Sequence, residues 1–167
     1  MAGDAIPTIH FVKIVVRQGD SFLLVHERKF GQTWHLPAGR AMPGEALVQA
    51  ALRETQEETG VPLVLDGIIR VEHSPHPDKA FLGVIFLGHP AADVPPKTTP
   101  DEESLGAAWF TVDEAARLPL REDDVLDVLR YVRQGGPVCP LGLLAPKGTP
   151  YLINEPVSGT ENRASAY

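Results

Sequence analysis

Only one cysteine, Cys139, occurs among the 167 residues. A single thiol excludes an intramolecular disulfide and fits a reducing, cytoplasmic setting. No apolar run approaches the roughly 20 residues of a membrane span. The N-terminal MAGDAIPT has no basic segment followed by an apolar one, so no signal peptide is expected. No internal repeat is visible. Positive charge is scarce, with 15 Lys and Arg against 22 Asp and Glu and a net charge of −7. That balance argues against broad binding to nucleic acid or to a membrane surface.

What is present is a globular composition, 43% hydrophobic and 22% charged, in a chain long enough for one domain with a real core. Its central stretch is Gly39–Val61, GRAMPGEALVQAALRETQEETGV. Pro37, Gly39, Pro43 and Gly44 mark a turn. From Glu45 to Thr59 there is neither Gly nor Pro, and good helix formers dominate. Gly60 stands where a helix C-terminal Gly belongs, and Pro62 prevents continuation. The pattern predicts a loop and a helix of about four turns, with Glu45 in its first turn, where negative charge suits the helix dipole.

Glu54, Glu57 and Glu58 stand at i, i+3 and i+4, in one sector of that helix with Glu54 in the middle. Like charges at this spacing repel. A positive partner relieves them, and hard divalent cations with oxygen ligands, Mg²⁺ or Mn²⁺, are the natural candidates. Arg53 lies four residues before Glu57 and can orient that carboxylate. Val48, Leu52, Thr55 and Thr59 form a second stripe, expected to pack on the domain. The mostly small Leu47, Ala50 and Ala51 extend the carboxylate face and would let the helix approach a sheet closely. A solvated acidic helix is the plain alternative for three glutamates taken alone.

Residues 9–17 and 21–27 read as strands joined by a turn at Gln18-Gly19-Asp20. Residues 28–33 form a loop, and 34–36 a short strand leading into the central stretch. Residues 63–72 and 80–88 read as a strand pair connected through 73–78, and 105–110 as a further strand. Thr111 caps a helix over 112–118, with Glu114 completing a capping box. Residues 122–134 carry Val125, Leu126, Val128, Leu129 and Val132 at helical spacing and end at Gly135-Gly136. Residues 1–136 are therefore expected to form a single domain. Residues 137–167 form a Pro-rich irregular tail, packed on the domain or partly disordered, with disorder expected over 156–167. Strands interrupted by one long helix and closed by another indicate an α/β or α+β layered fold.

The string Gly39, Glu45, Arg53-Glu54-x-x-Glu57-Glu58-x-Gly60-Val61 resembles the Nudix box, with every fixed-identity position matched. Thr55 stands where the family more often has an aliphatic residue. Trp34-His35-Leu36-Pro37-Ala38-Gly39 before the box, and Glu103 with Trp109-Phe110 after it, widen the resemblance. It implies a Nudix hydrolase with a mixed β-sheet sandwiched between α-helices. The activity implied is divalent-metal-dependent hydrolysis of the pyrophosphate bond of a nucleoside diphosphate linked to a group X. Such a metal would also mediate between an acidic protein and an anionic substrate.

By the same resemblance, Glu54, Glu57, Glu58 and the carbonyl of Ala38 are metal ligands, and Glu57 also acts on the attacking water. Arg53 orients the glutamates, whereas Gly39, Glu45 and Gly60 are structural, Gly39 permitting the sharp turn. Asp101, Glu102 and Glu103 are candidates for a further acid, and Glu103 best matches the usual spacing; an exposed acidic loop is the alternative. The six histidines show no metal-ligand spacing and read as surface or packing residues. His26, Phe30, Trp34 and Arg40 are candidates for substrate binding, although Trp34 suits core packing equally. Cys139 reads as structural, which weakens any similarity to the isomerase branch.

The box does not set the substrate. Trp34-x-Leu36-Pro37-Ala38-Gly39-Arg40, Pro43-Gly44-Glu45, Glu103-Ser104-Leu105-x-Ala107-Ala108-Trp109 and Pro119-Leu120-Arg121 with Asp124-Val125-Leu126 are similar to the branch acting on 8-oxo-guanine nucleotides, 8-oxo-dGDP or 8-oxo-dGTP. An ADP-ribose or sugar-nucleotide pyrophosphatase is the rival. A non-catalytic Nudix-fold binding or regulatory domain is the alternative of another class. RNA 5′-end hydrolysis is disfavoured, because no basic stripe for RNA is visible. Homodimerisation, common in the family, would be compatible with the tail.

Overall fold

The computed structural model describes residues 6–29 and 31–151. Phe30 and the disorder expected over 156–167 lie outside the described residues. The elements run β1 (Thr8–Gln18), β2 (Ser21–Glu27), β3 (Trp34–His35), β4 (Ala38–Arg40), α1 (Leu47–Thr59), β5 (Leu63–Pro75), β6 (Ala80–Pro90), β7 (Ser104–Thr111), α2 (Val112–Ala115) and α3 (Asp124–Arg133). A 3₁₀ turn follows at Leu141–Leu144.

β1 organises a mixed sheet. It runs parallel to β6 from Thr8↔Ala80 to Val16↔Gly88, and antiparallel to both β2 and β4. β5 extends the sheet beyond β6, while β3 and β7 both pair with β2. Strand side chains alternate between faces. Val12, Ile14, Val16, Leu23, Val84 and Phe86 therefore form one core with Ala50 and Ala51 of α1. Val15, Phe22, Leu24 and Ile85 form the other with Val125, Leu129 and Val132 of α3. The sheet is thus sandwiched between α1 and the α2–α3 pair, the α+β arrangement the sequence predicts.

Several boundaries differ from expectation. α1 begins at Leu47, so Glu45 lies ahead of the helix rather than in its first turn. The Pro43-Gly44 turn keeps the chain extended through Ala46, and Arg53 and the Met42 N–H hold Glu45 there. Leu52 is exposed, whereas Ala50, Ala51, Glu54, Thr55 and Thr59 are buried. Burial of Glu54 turns the packed face of α1 toward the carboxylates and leaves Leu52 outside it. Thr55 tolerates complete burial because its hydroxyl donates to the Ala51 carbonyl at 2.8 Å. Gly60 closes α1 with φ 74°, a conformation in which a Cβ is penalised.

α2 stops at Ala115, although Thr111 and Glu114 form the expected reciprocal cap. β5 runs on to Pro75, so His73–Pro75 belong to the strand and not to the connection. After α3 the chain returns to the sheet. The Cys139 peptide exchanges two hydrogen bonds with Ile68, both 2.8 Å, while its side chain is exposed. Leu141 and Leu144 then pack against the α1-side core.

Candidate metal and nucleotide site

The register of β4 on β1 sets Ala38 opposite Lys13, Gly39 opposite Val12 and Arg40 opposite Phe11. This brings the box turn over the sheet and against α1. Gly39 is required by space rather than by its torsion angles. A Cβ there would lie 1.9 Å from the Glu54 carboxyl carbon. Glu54 is 9% exposed, and its carboxylate fills the place a side chain would occupy. The Ala38 N–H donates to Glu58 Oε2 at 2.9 Å, so the same turn also holds a second glutamate.

Arg53 clamps the acids. Its Nε and Nη2 donate to the two Glu45 oxygens at 2.8 and 2.9 Å. Its Nη1 donates to Glu54 at 2.8 Å and to Glu57 at 3.0 Å, and Nη2 also reaches the Arg40 carbonyl at 3.0 Å. The Arg53 hydrogen bonds, with that from the Met42 N–H, hold the Glu45 carboxyl down to about 2. Glu45 thus belongs to the scaffold, as does its partner.

The far end of α1 is tied to the loop ahead of β7. Lys97 Nζ donates to the Glu57 carbonyl and to Asp101, each at 2.6 Å. Ser104 Oγ donates to the Glu58 carbonyl at 2.7 Å. Asp101 accepts the N–H groups of Glu103 and Ser104 at 2.9 and 3.1 Å. Asp101 is thereby committed to shaping this loop. Glu103 is the acid of the three whose charge bears on both Glu54 and Glu58.

Glu58 is strongly perturbed by its surroundings. Burial pushes its carboxyl up to about 8 against the Ala38 hydrogen bond, and the charges of Glu54, Glu27 and Glu103 add to the rise. Burial likewise raises Glu54, opposed by Arg53. Glu27, at the end of β2, is a member of this acidic group that the sequence reading left out; it receives Arg121 Nη1 at 2.7 Å. Among the described residues, no three Asp, Glu, His or Cys side chains already converge in a metal-holding arrangement. Arg53 engages Glu54 and Glu57, and Glu58 faces the Ala38 N–H. The donor set nonetheless suits a hard divalent cation. It offers carboxylate oxygens, and desolvation strengthens the hold of the half-buried Glu58 carboxyl on its proton, which nearby positive charge would weaken.

A stability test follows from the sign of that shift. The Glu58 carboxyl titrates near 8 in the folded chain, above the 4.5 of an ordinary glutamate. Between those values the folded chain binds the proton and the unfolded chain has released it. Stability therefore falls as pH rises through that window. In EDTA, the melting temperature is expected to drop from mildly acid pH toward about pH 8. Mg²⁺ or Mn²⁺ should flatten the profile, and Glu58→Gln should remove this part of the slope. Thermal melts across pH with and without metal check this; identical profiles for wild type and variant would refute it.

Beside the box turn lies a cavity of about 290 Å³, lined by Phe11, Lys13, His35, Arg40, Arg121 and Glu122 among others. Of the expected substrate-binding residues, Arg40 lines it. His26 and Trp34 do not; they stack on each other at 4.7 Å, with Phe110 edge-on to Trp34. Lys13 Nζ donates to Glu122 at 2.7 Å, which places a charged pair against the cavity wall. His35, read from sequence as a packing or surface residue, is 2% exposed and faces Glu122 at 3.5 Å. The signal available in the sequence was Lys13, a lone charge inside the apolar strand IHFVKIVV. A larger hollow of about 430 Å³ lies between the start of α1 and Leu143–Pro146. Its ionisable lining is His10 and Glu45, and Glu45 is already paired with Arg53, so the smaller cavity is the better equipped for chemistry.

Comparison with known proteins agrees with this geometry. A family model described as the NUDIX domain matches residues 8–129. The chain is 33% identical over 125 residues to the 8-oxo-dGDP phosphatase NUDT18 of Homo sapiens, covering 72% of this chain and 37% of that protein. It is 36% identical over 110 residues to a putative 8-oxo-dGTP diphosphatase of Bacillus subtilis (strain 168), covering 64% of this chain and 66% of that one. A solved NUDIX hydrolase from Nitrosomonas europaea superposes with a TM-score of 0.70 at 29% identity, covering 83% of this chain and 96% of that chain. The chain spans little more than a third of the length of the NUDT18 proteins it matches.

Proposed function

Because this chain belongs to the NUDIX family, we propose that it hydrolyses the pyrophosphate bond of a nucleoside diphosphate linked to another group, with oxidised guanine nucleotides as preferred substrates. The observation that carries this reading is the box turn itself. It holds Glu54 and Glu58 with one short segment and opens on a cavity of nucleobase size. Ligand clefts run from about 300 to 1,000 Å³, so a 290 Å³ cavity suits a base with the phosphates outside it, toward α1. NUDT18 and the Bacillus subtilis relative support the oxidised-guanine reading by their names.

Glu54, Glu57, Glu58 and the Ala38 carbonyl would hold Mg²⁺ or Mn²⁺, with Glu103 and Glu27 adding charge around them. When bound, the cation polarises phosphate oxygens and makes water a better nucleophile at neutral pH. The protein's own part is positional. Arg53 fixes Glu54 and Glu57 relative to each other. Glu57 is the exposed member of the trio, from which a proton taken from water can pass to solvent. Arg121 lines the cavity and also contacts Glu27, so it spans the base and phosphate ends of the site.

A phosphate and pyrophosphate release screen tests the proposal. The panel holds 8-oxo-guanosine di- and triphosphates, ordinary nucleoside triphosphates, ADP-ribose and sugar nucleotides, each with Mg²⁺ and with Mn²⁺. Highest kcat/KM on oxidised guanine nucleotides is expected. Preference for ADP-ribose or a sugar nucleotide would overturn the substrate assignment alone. No turnover with either metal would overturn hydrolysis itself.

A further inference from the structure

We propose that Lys97 is a positioning residue: its ammonium joins the end of α1 to the turn at Asp101–Ser104 and so fixes Glu103 relative to Glu57 and Glu58. The proposal rests on the metal-dependent hydrolase reading above and deepens it, since Lys97 acts through acids and is not one of them.

A helix leaves its last four carbonyls without partners along its own axis. In α1 the Gly60 N–H takes the Gln56 carbonyl at 2.9 Å. The others go to one segment of the chain. Lys97 Nζ donates to the Glu57 carbonyl at 2.6 Å, Ser104 Oγ to the Glu58 carbonyl at 2.7 Å and the Lys97 N–H to the Thr59 carbonyl at 2.8 Å. Glu57 and Glu58 are thus held at their main chain by the segment that carries Glu103. The ammonium also suits the negative end of the helix dipole.

Lys97 is itself fixed through its main chain. Pro95 and Pro96 precede it and restrict the backbone, and its carbonyl accepts the Ala107 N–H at 2.9 Å. From this anchored position Nζ reaches Asp101 Oδ2 at 2.6 Å. The other carboxylate oxygen, Oδ1, accepts the N–H groups of Glu103 and Ser104. The Asp101 N–H closes the turn on the Ser104 carbonyl at 3.0 Å. A continuous chain of bonds therefore runs from the Glu57 carbonyl through Lys97 and Asp101 to the main chain of Glu103. On the other flank, Arg28 Nη1 donates to the Asp101 carbonyl at 2.6 Å.

Stability alone does not need this ammonium. The main-chain bonds of Lys97 already tie the loop to α1 and β7, and an ion pair whose acid is half exposed adds little. What the ammonium adds is placement of the next acid. Glu103 is exposed, and its charge bears on both Glu54 and Glu58. Holding its backbone narrows where that charge can sit. Groups that orient a metal's surroundings from behind the ligands are typically worth about 10–100-fold in metal affinity or activity.

Lys97→Met in the full chain tests this, with Mn²⁺ binding followed by electron paramagnetic resonance. The variant should bind Mn²⁺ roughly 10–100-fold more weakly and lose kcat to a similar degree, with the nucleotide KM at saturating Mn²⁺ unchanged. In the metal-free chain, hydrogen exchange at the Glu103 and Ser104 amides should accelerate several-fold. In a Glu103→Gln background, Lys97→Met should add no further loss, because the acid it positions is already gone. Wild-type Mn²⁺ affinity in folded Lys97→Met would overturn the proposal, as would equal losses in both backgrounds, the mark of a merely structural lysine. If Lys97→Met does not fold, Asp101→Asn decides: it keeps an oxygen for the turn amides, loses the acceptor for Lys97 and should reproduce the same losses. Wild-type chain that binds Mn²⁺ but hydrolyses no nucleotide refutes the hydrolase reading, and the Mn²⁺ and exchange data still judge Lys97. Wild-type turnover with unchanged Mn²⁺ affinity and exchange in the variant refutes the role of Lys97 alone.

Discussion

Glu58→Gln and Glu57→Gln should each lower kcat for pyrophosphate hydrolysis by about 10²–10⁴-fold, the range for losing a positioned acid–base or charge-stabilising group. Both substitutions conserve volume, so the fold should persist. A glutamine oxygen at position 58 can still accept the Ala38 N–H, which keeps α1 seated on the box turn. What it lacks is the negative charge that a divalent cation would meet. The two variants should differ in their side effects. Glu57 is exposed and bonds Arg53, so its replacement should leave the melting temperature nearly unchanged. Glu58 is half-buried among like charges, so its replacement should stabilise the metal-free chain at alkaline pH. Steady-state kinetics over a Mg²⁺ titration, with circular dichroism as the fold control, measures both effects. Wild-type rates in both variants would remove α1 from the reaction.

Gly39→Ala should be strongly damaging. Its Cβ would stand 1.9 Å from the Glu54 carboxyl carbon and 2.0 Å from Oε1. Oε1 is also held by Arg53 at 2.8 Å, so the carboxylate cannot swing aside without breaking the clamp on α1. Forcing an extra methyl into a packed site costs about 1–3 kcal/mol. For a chain of this size that is a fall of roughly 2–12 °C in melting temperature. Activity should fall further than stability, because the displaced group is one of the proposed metal ligands. Gly19→Ala makes a control: its added Cβ meets nothing within 4 Å, although its φ of 60° carries a backbone penalty of its own. Equal activity in Gly39→Ala and wild type would show that Glu54 has no part in the reaction.

How much of this was legible in the sequence depended on the range of the interactions. The box helix was readable because its signals are local: helix formers, a closing Gly60, and carboxylates at i, i+3 and i+4. Its start was misplaced by two residues because Glu45 is held by Arg53, eight positions along, and not by the helix dipole. Glu103 stood out from Asp101 and Glu102 only by its spacing to Trp109. The structure separates them physically, since Asp101 is spent on two backbone N–H groups of its own loop. The cavity wall was not legible. Lys13 and Glu122 are 109 positions apart, and their meeting depends on β1 and the approach to α3 sharing one face of the sheet. His35 was read as a packing or surface residue because nothing local reveals that its second nitrogen meets Glu122, 87 positions along, at 3.5 Å.

The seven residues from Trp34 to Arg40 serve both ends of the site. His35 faces the cavity, Ala38 and Gly39 hold Glu58 and Glu54, and the Arg40 carbonyl anchors Arg53. This has a consequence for evolvability. Selectivity and chemistry share one short, rigid segment, so a change within it alters both together. New substrate ranges on this scaffold should be reached through β1 and the segment before α3, where Lys13, Arg121 and Glu122 can be exchanged without disturbing the box turn. A library randomised at those three positions is the route to retargeting, whereas one randomised across 34–40 should yield mostly inactive protein.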